Sequence, residues 1–401
     1  MATALHVSLR PALKHAAMPS GAAVLDPAGP FACLGASAGM DGLAVPVVPS
    51  ALALFGPRGA CLLAPDGPLW VSDTGHHRLL GWERLPDRDD VPADWVIGQR
   101  DFSREGRNGK AEPGAATLNV PTGITPLGEG MAVADAWNHR VLIWYKRPHD
   151  QNVPADIVLG QRDFQTVEAN ARRQEASAQS LFWPYGVHWD GARLWVADTG
   201  NRRVLMWRGL PACHAQPADL VLGQQDFCTR DENGGGTPTQ ASMRWPHGVA
   251  TWSGRLCVTD AGNSRIMIWN APPTRNNQHC SWLLGQNDPA AVDHNQALYW
   301  PNAATLHMPY GIAAGGAWLI AADTANSRLL AWHAEDPDAQ AARALTGQAD
   351  FHAKGDNRWA LPSRDSLCWP YGIAVSGAVA VVADSGNNRV LMWRLSRDLA
   401  P

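Results

Sequence analysis

A six-residue segment that opens on Asp and closes on Arg occurs six times in this chain, and nothing else in the sequence constrains the fold as strongly. It reads DTGHHR at Asp73–Arg78, DAWNHR at Asp135–Arg140, DTGNRR at Asp198–Arg203, DAGNSR at Asp260–Arg265, DTANSR at Asp323–Arg328 and DSGNNR at Asp384–Arg389. The leading Asp recurs after 62, 63, 62, 63 and 61 residues. So regular a period marks a repeat architecture, in which each copy buries its apolar face against its neighbours.

Each copy has the same parts. In the third, Pro184–Trp189 is a short strand ended by the turn pair Asp190-Gly191, and Leu194–Ala197 is a second strand running into the Asp198–Arg203 loop. Val204–Trp207 is a third strand and Asp219–Gly223 a fourth, both rich in residues that suit a pleated surface. Four short antiparallel strands per period make one blade of a β-propeller. The 38 Gly, 30 Pro and 19 Trp fit an all-β chain with many turns and aromatic packing. Hydrophobic residues at 45% and charged residues at 17% exclude a disordered chain. A length of 401 residues would ordinarily suggest two or three domains, but a ring of repeats is one closed unit.

The closure of the ring can be read from numbering. A Gly-Gln pair ends the fourth strand at Gly98, Gly160, Gly223, Gly285 and Gly347, and the next repeat's Asp follows 37 or 38 residues later. Gly35 lies 38 residues before Asp73, within Phe31–Gly35, while the chain ends soon after a third strand that finishes at Trp393. Residues 31–35 are therefore expected to pair with Val390–Trp393 and complete the last blade, which removes two exposed sheet edges. The expected fold is all-β, a six-bladed propeller over residues 31–401 closed by an N-terminal strand, with residues 1–30 as an extension.

These segments resemble the NHL-repeat family, in which a P-x-G strand start is followed by D-x-G-N-x-R, here of the bacterial type with long repeats containing LGQxDF. The resemblance covers about residues 31–394. The first repeat departs from it with His76 at the Asn position and a displaced Pro57-Arg58-Gly59; Trp137 and Ala325 stand at the Gly position of the second and fifth. Six near-equivalent blades with no asymmetric acid–base set point to a non-catalytic scaffold that binds a protein partner or ligand. The resemblance adds two alternatives known among such propellers: a metal-dependent lyase or lactone hydrolase with a site at the central channel, and RNA binding.

Charge and composition narrow these classes. A net charge of −4, a pI near 6.4 and four lysines give no electrostatic case for nucleic acid or an anionic membrane. The seven Cys have no CxxC spacing and read as small buried hydrophobes of a reducing compartment. No apolar run approaches the roughly 20 residues of a membrane span, and the first thirty residues show no export signal, so a cytoplasmic location is expected. No phosphate loop, dinucleotide fingerprint or nucleophile elbow is present, so no cofactor is expected.

A group repeated in every blade is structural before it is functional. Asp, with its carboxylate bonded to amides two residues on, and Gly, with positive φ, build the tight loop; Arg pairs with a carboxylate or carbonyls nearby. The Trp four residues after each Arg (Trp82, Trp144, Trp207, Trp269, Trp332, Trp393) packs between blades. Function is expected in the inserts that lengthen each repeat, residues 103–120, 165–183, 228–245, 290–308 and 352–369, which emerge on one face. They end on Trp183, Trp245, Met308 and Trp369, and the residues after the following Pro are Tyr185, His247, Tyr310 and Tyr371, with Thr122 in the second blade. These positions form an expected aromatic collar at the channel mouth, a surface for a protein partner or ligand. His76, His77, His139, His188 and His247 are the only hint of a metal, and they lack ligand spacing.

Overall fold

The computed structural model describes residues 22–35, 47–336, 340–397 and 399. Their β-strands form six sheets, five of four strands and one of five, arranged as the blades of a propeller. The innermost strands are Gly59–Leu62, Pro121–Leu127, Pro184–Trp189, Pro246–Trp252, Pro309–Gly315 and Pro370–Ser376. In the third blade the strands follow as Arg193–Asp198, Arg203–Arg208 and Leu220–Leu222, an antiparallel meander from channel to rim.

The last blade closes as the numbering requires. Ala32–Leu34 pairs antiparallel with Arg389–Arg394 in the register Ala32↔Met392, Cys33↔Leu391 and Leu34↔Val390. The residues before this strand are packed as well. Ala22–Ala23 adds a parallel fifth strand to the fifth blade, and Val24 and Leu25 are buried. Trp393 Nε1 donates to Asp26 O at 2.8 Å, as Trp144 Nε1 donates to Val153 O at 2.9 Å within its own blade. Residues 22–26 thus replace the missing third-to-fourth loop of the sixth blade.

The apolar core lies between blades. Leu127, Ala132, Ile143 and Leu159 of the second blade pack against Val187, Val196, Leu205 and Val221 of the third, and like layers fill every other seam. The six repeated Trp are buried in these layers, each with its indole N–H bonded to a backbone carbonyl. That satisfies the polar end of an otherwise apolar side chain.

Close approach at the channel explains the glycine of P-x-G. A Cβ on Gly186 would lie 1.9 Å from His247 O, and one on Gly59 would lie 2.0 Å from Thr122 O. In each case the obstacle is the carbonyl of the residue before the equivalent glycine in the next blade. This glycine therefore sets the spacing of the inner strands.

Of the seven Cys, Cys33, Cys61, Cys257 and Cys280 are buried as expected, whereas Cys213 and Cys228 are exposed on loops. Burial pushes the thiols of Cys33 and Cys280 up to about 12. They pack as hydrophobes and carry no thiolate chemistry.

Candidate binding site at the channel mouth

The repeated Asp–Arg segments are fixed by one hydrogen-bond pattern. Asp198 Oδ1 accepts the backbone N–H of Phe182 at 2.7 Å; its Oδ2 accepts Asn201 Nδ2 at 2.8 Å and Arg203 Nε at 2.7 Å. Arg203 then donates to the carbonyls of Phe227, Ser177 and Ser180. Burial pushes the Asp198 carboxyl up, and the Arg203 guanidinium opposes it. Every contact of that carboxyl is with a donor, the environment of an ionised group.

Two details of the loop differ from the sequence reading. The carboxylate holds a backbone N–H 16 residues upstream, on the end of the insert, and caps no amide two residues on. The left-handed residue is the fifth of the segment, Arg202 in this blade with φ 54°, and the glycine is there for space: a Cβ on Gly200 would meet Phe182 O at 2.4 Å. Trp137 and Ala325 stand at that position without positive φ, so the loop does not need glycine for its backbone conformation.

The same network ties down the inserts. Each contains an Asn that pairs with the Asn of the following segment: Asn108 with Asn138, Asn170 with Asn201, Asn233 with Asn263, Asn295 with Asn326 and Asn357 with Asn387. The Gln of each Gly-Gln pair donates to an insert carbonyl, Gln161 Nε2 to Glu168 O at 2.9 Å for example. The inserts are thus parts of the fold over much of their length. Sequence reading missed these Asn residues, although their spacing of 62, 63, 62 and 62 residues repeats as faithfully as the Asp.

The candidate site residues divide into two sets. Tyr185, His247, Tyr310 and Tyr371, one from each of four successive blades, come together at the channel mouth. Ring centroids are 4.7 Å apart for Tyr185–His247, 4.3 Å for His247–Tyr310 and 4.4 Å for Tyr310–Tyr371. Trp183, Trp245 and Trp369 stand outside this stack, each about 40% exposed: relative exposures are 42%, 39% and 40%. Trp183 leans on Phe182 and His139, and Arg244 lies over the Trp245 ring. Met308, like Trp183 and Trp369, has a left-handed backbone, with φ 51°. The expected single collar is therefore an inner ring of post-proline residues and an outer ring of pre-proline residues.

Arg58 completes the inner ring. Pairing of Gly59 with Ser72 puts Pro57-Arg58-Gly59 in the P-x-G position of the first blade despite its displacement in sequence. The Arg58 guanidinium lies 4.6 Å from the Tyr371 ring centroid and 5.9 Å from that of Tyr185, and its Nη1 donates to the Tyr185 hydroxyl at 3.4 Å. It reaches Tyr185 past the second blade, whose Thr122 is small and turns its hydroxyl to Tyr185 O at 2.9 Å. Sequence reading noted the displaced motif without placing Arg58 at the mouth.

Below the ring runs a cavity of about 350 Å³ along the inner strands. Its walls include Ile124, Val187, Ile312 and Val375, with His188 bonded through Nε2 to Thr251 Oγ1 at 2.9 Å. Burial holds both His188 and His247 down to about 4, so both are neutral near pH 7. Burial pushes the Tyr310 phenol up, so it remains a hydroxyl. Arg58 is the one ionised side chain among the residues that line this cavity.

Three further histidines serve the fold. His76 puts both ring nitrogens against acceptors, Asp73 Oδ2 at 2.8 Å and Val47 O at 2.7 Å; these raise its pKa against the opposing effect of burial. His77 Nδ1 accepts the N–H of Val120, and His139 Nδ1 that of Trp183. Among the described residues no three His, Cys, Asp or Glu side chains meet as a metal site would require.

The NHL repeat model matches residues 243–269, the segment from Met243 in the approach to the fourth blade through its third strand. All six blades run in the same antiparallel strand order, and the described residues form a six-bladed β-propeller. No curated protein sequence matches the chain. Among solved structures, a protein of unknown function from Bacteroides thetaiotaomicron is 10% identical with a TM-score of 0.49, covering 86% of this chain and 70% of its own. Hydrazine synthase of Kuenenia stuttgartiensis is 13% identical with a TM-score of 0.45, over 85% and 96% of the two chains. A streptogramin B lyase is 12% identical with a TM-score of 0.44, over 88% and 96%. At these values the likeness carries no functional argument.

No helix among the described residues is long and apolar enough to cross a membrane.

Proposed function

We propose that this propeller is a binding module that holds a partner or ligand on its insert-bearing face, at and around the channel mouth, without transforming it. The observation that carries this reading is how the chemistry is distributed. The Asp and Arg side chains repeated in all six blades, and the Asn side chains repeated in five, are consumed by the fold. The inner-strand position after the proline is not uniform around the ring, and its Arg58, Tyr185, His247, Tyr310 and Tyr371 converge at the channel mouth. That ring offers large, rigid aromatic area and hydrogen-bond donors, the makings of a recognition surface. It contains no carboxylate, and its histidine is held neutral by burial, so it lacks an acid–base pair near neutrality.

The outer ring supports the same reading. Trp183, Trp245 and Trp369 keep roughly 40% of their surface open, at 42%, 39% and 40%. The test is capture of a partner by the whole protein, followed by affinity measurements on variants. Trp183→Ala, Trp245→Ala or Trp369→Ala is expected to weaken binding by more than about 1 kcal/mol with an unchanged melting temperature. Changes in the loop Pro211–Pro217, on the other face, are expected to leave affinity unaltered. A partner whose affinity responds only to the Pro211–Pro217 loop would overturn the proposal.

A further inference from the structure

We infer that the inner ring is a carboxylate-binding site, in which Arg58 holds the anion of a small monocarboxylic acid and the channel beneath takes its apolar remainder. This rests on the binding reading above and names the ligand class of the same site. The first support is electrostatic. Arg58 is half-buried, and its polar contact among the described residues is the long hydrogen bond to the Tyr185 hydroxyl. No Asp or Glu lines the cavity, and burial keeps His188 and His247 neutral, so nothing there cancels the guanidinium charge. The six segment arginines, in contrast, are each ion-paired to their own Asp.

The second support is what the ring excludes. Three tyrosines around one point would suit a cationic ligand, but Arg58 already lies over Tyr371 and near Tyr185. A cation would meet like charge at the site where the aromatic faces are best placed. An anion meets the guanidinium fork and phenol hydroxyls, with Tyr310 kept protonated by burial. One guanidinium balances one negative charge, which favours a monocarboxylate over a phosphate dianion. The wall residues below the ring, Ile124, Val187, Ile312 and Val375 among them, suit a hydrocarbon body, and about 350 Å³ limits it to a small one.

The experiment uses the full chain and two isosteric probes, benzoate and benzamide, in calorimetric titrations. The expected result is saturable binding of benzoate, at least tenfold tighter than benzamide, the usual worth of a charge-assisted hydrogen bond. Arg58→Gln is expected to lower benzoate affinity by about tenfold or more and to abolish the preference over benzamide, while Arg58→Lys retains part of it. If Arg58→Gln fails to fold, the wild-type comparison of the two probes still decides. Equal affinity for benzoate and benzamide, unchanged benzoate binding by a folded Arg58→Gln, no benzoate binding, or tighter binding of inorganic phosphate would each overturn the inference. Any of these with the Trp183 and Trp369 effects on partner affinity intact would remove the carboxylate assignment and leave the binding module standing.

Discussion

The backbone N–H of Trp183 donates to Nδ1 of His139 at 3.1 Å, across the seam between the second and third blades. The same latch recurs from Val120 to His77, Met308 to Ser264, Trp369 to Ser327 and Gly56 to Asn388. In each, the residue before the proline has φ near 50° to 57°, a costly conformation for Val, Trp and Met. The fourth blade is the exception, and its chemistry explains why. The latch position there is Arg202, which has no acceptor atom, and Trp245 N–H turns instead to Asp260 Oδ1 at 3.2 Å without positive φ.

The latch makes stability depend on pH. Nδ1 of His139 accepts only when unprotonated, and burial lowers its pKa from 6.5 to about 4. The unfolded chain therefore binds a proton that the folded chain refuses, and stability falls as pH drops from about 6.5 towards 4. His139→Asn, which copies the working Asn388 latch, should keep the hydrogen bond and remove the titration. Its stability should fall less steeply than wild type over this window, by up to about 1.4 kcal/mol per pH unit. Urea denaturation at a series of pH values measures this, and parallel curves would refute it.

Removing one repeated carboxylate should be severe. Asp198→Ala leaves Arg203, fully buried, without its counter-charge and frees the Phe182 N–H and Asn201. A loss of about 3–5 kcal/mol is expected, the usual cost of breaking a buried pair from one side. A loss under about 1 kcal/mol in denaturant unfolding would show that the network is dispensable.

Strand closure can be tested by truncation. A chain beginning at Ala22 keeps every pairing described at the sixth blade; one beginning at Ala36 loses the strand Ala32–Leu34, the Asp26 carbonyl that holds Trp393, and buried Val24 and Leu25. The longer chain is expected to melt cooperatively and the shorter one to melt far lower or aggregate through its exposed edge. Equal melting temperatures would contradict the closure.

The inner-strand spacing predicts a contrast between two glycines of one blade. Gly186→Ala drives a Cβ into His247 O, a backbone atom of the next blade, whereas Gly191→Ala meets open space and bears only the strain of φ 94°. Gly186→Ala should destabilise by about 2 kcal/mol or more and Gly191→Ala by about 1 kcal/mol. Thermal melts of the two variants decide, and a reversed order would be fatal to the argument.

The architecture was legible because period, strand alternation and the Gly-Gln register all repeat, and numbering alone located the strand at Ala32–Leu34. The channel-mouth residues Tyr185, His247, Tyr310 and Tyr371 were found by the same route, through their place after the proline. Arg58 was not, since two extra residues separate its proline from Asp73 and only cross-strand pairing restores the alignment. The direction of the Asp198 hydrogen bond was also hidden. A local turn and a contact 16 residues away call for the same residue type, and spacing along the chain does not distinguish them.

The central claim, that the insert-bearing face around the inner ring is where this protein binds, is tested most directly by hydrogen exchange with and without the captured partner. Protection is expected at residues 183–187, 245–249, 308–312 and 369–373, with the turn Asp190–Ala192 and the loop Pro211–Pro217 unchanged. Protection confined to those turns, with the channel mouth exchanging as in the free protein, would contradict it.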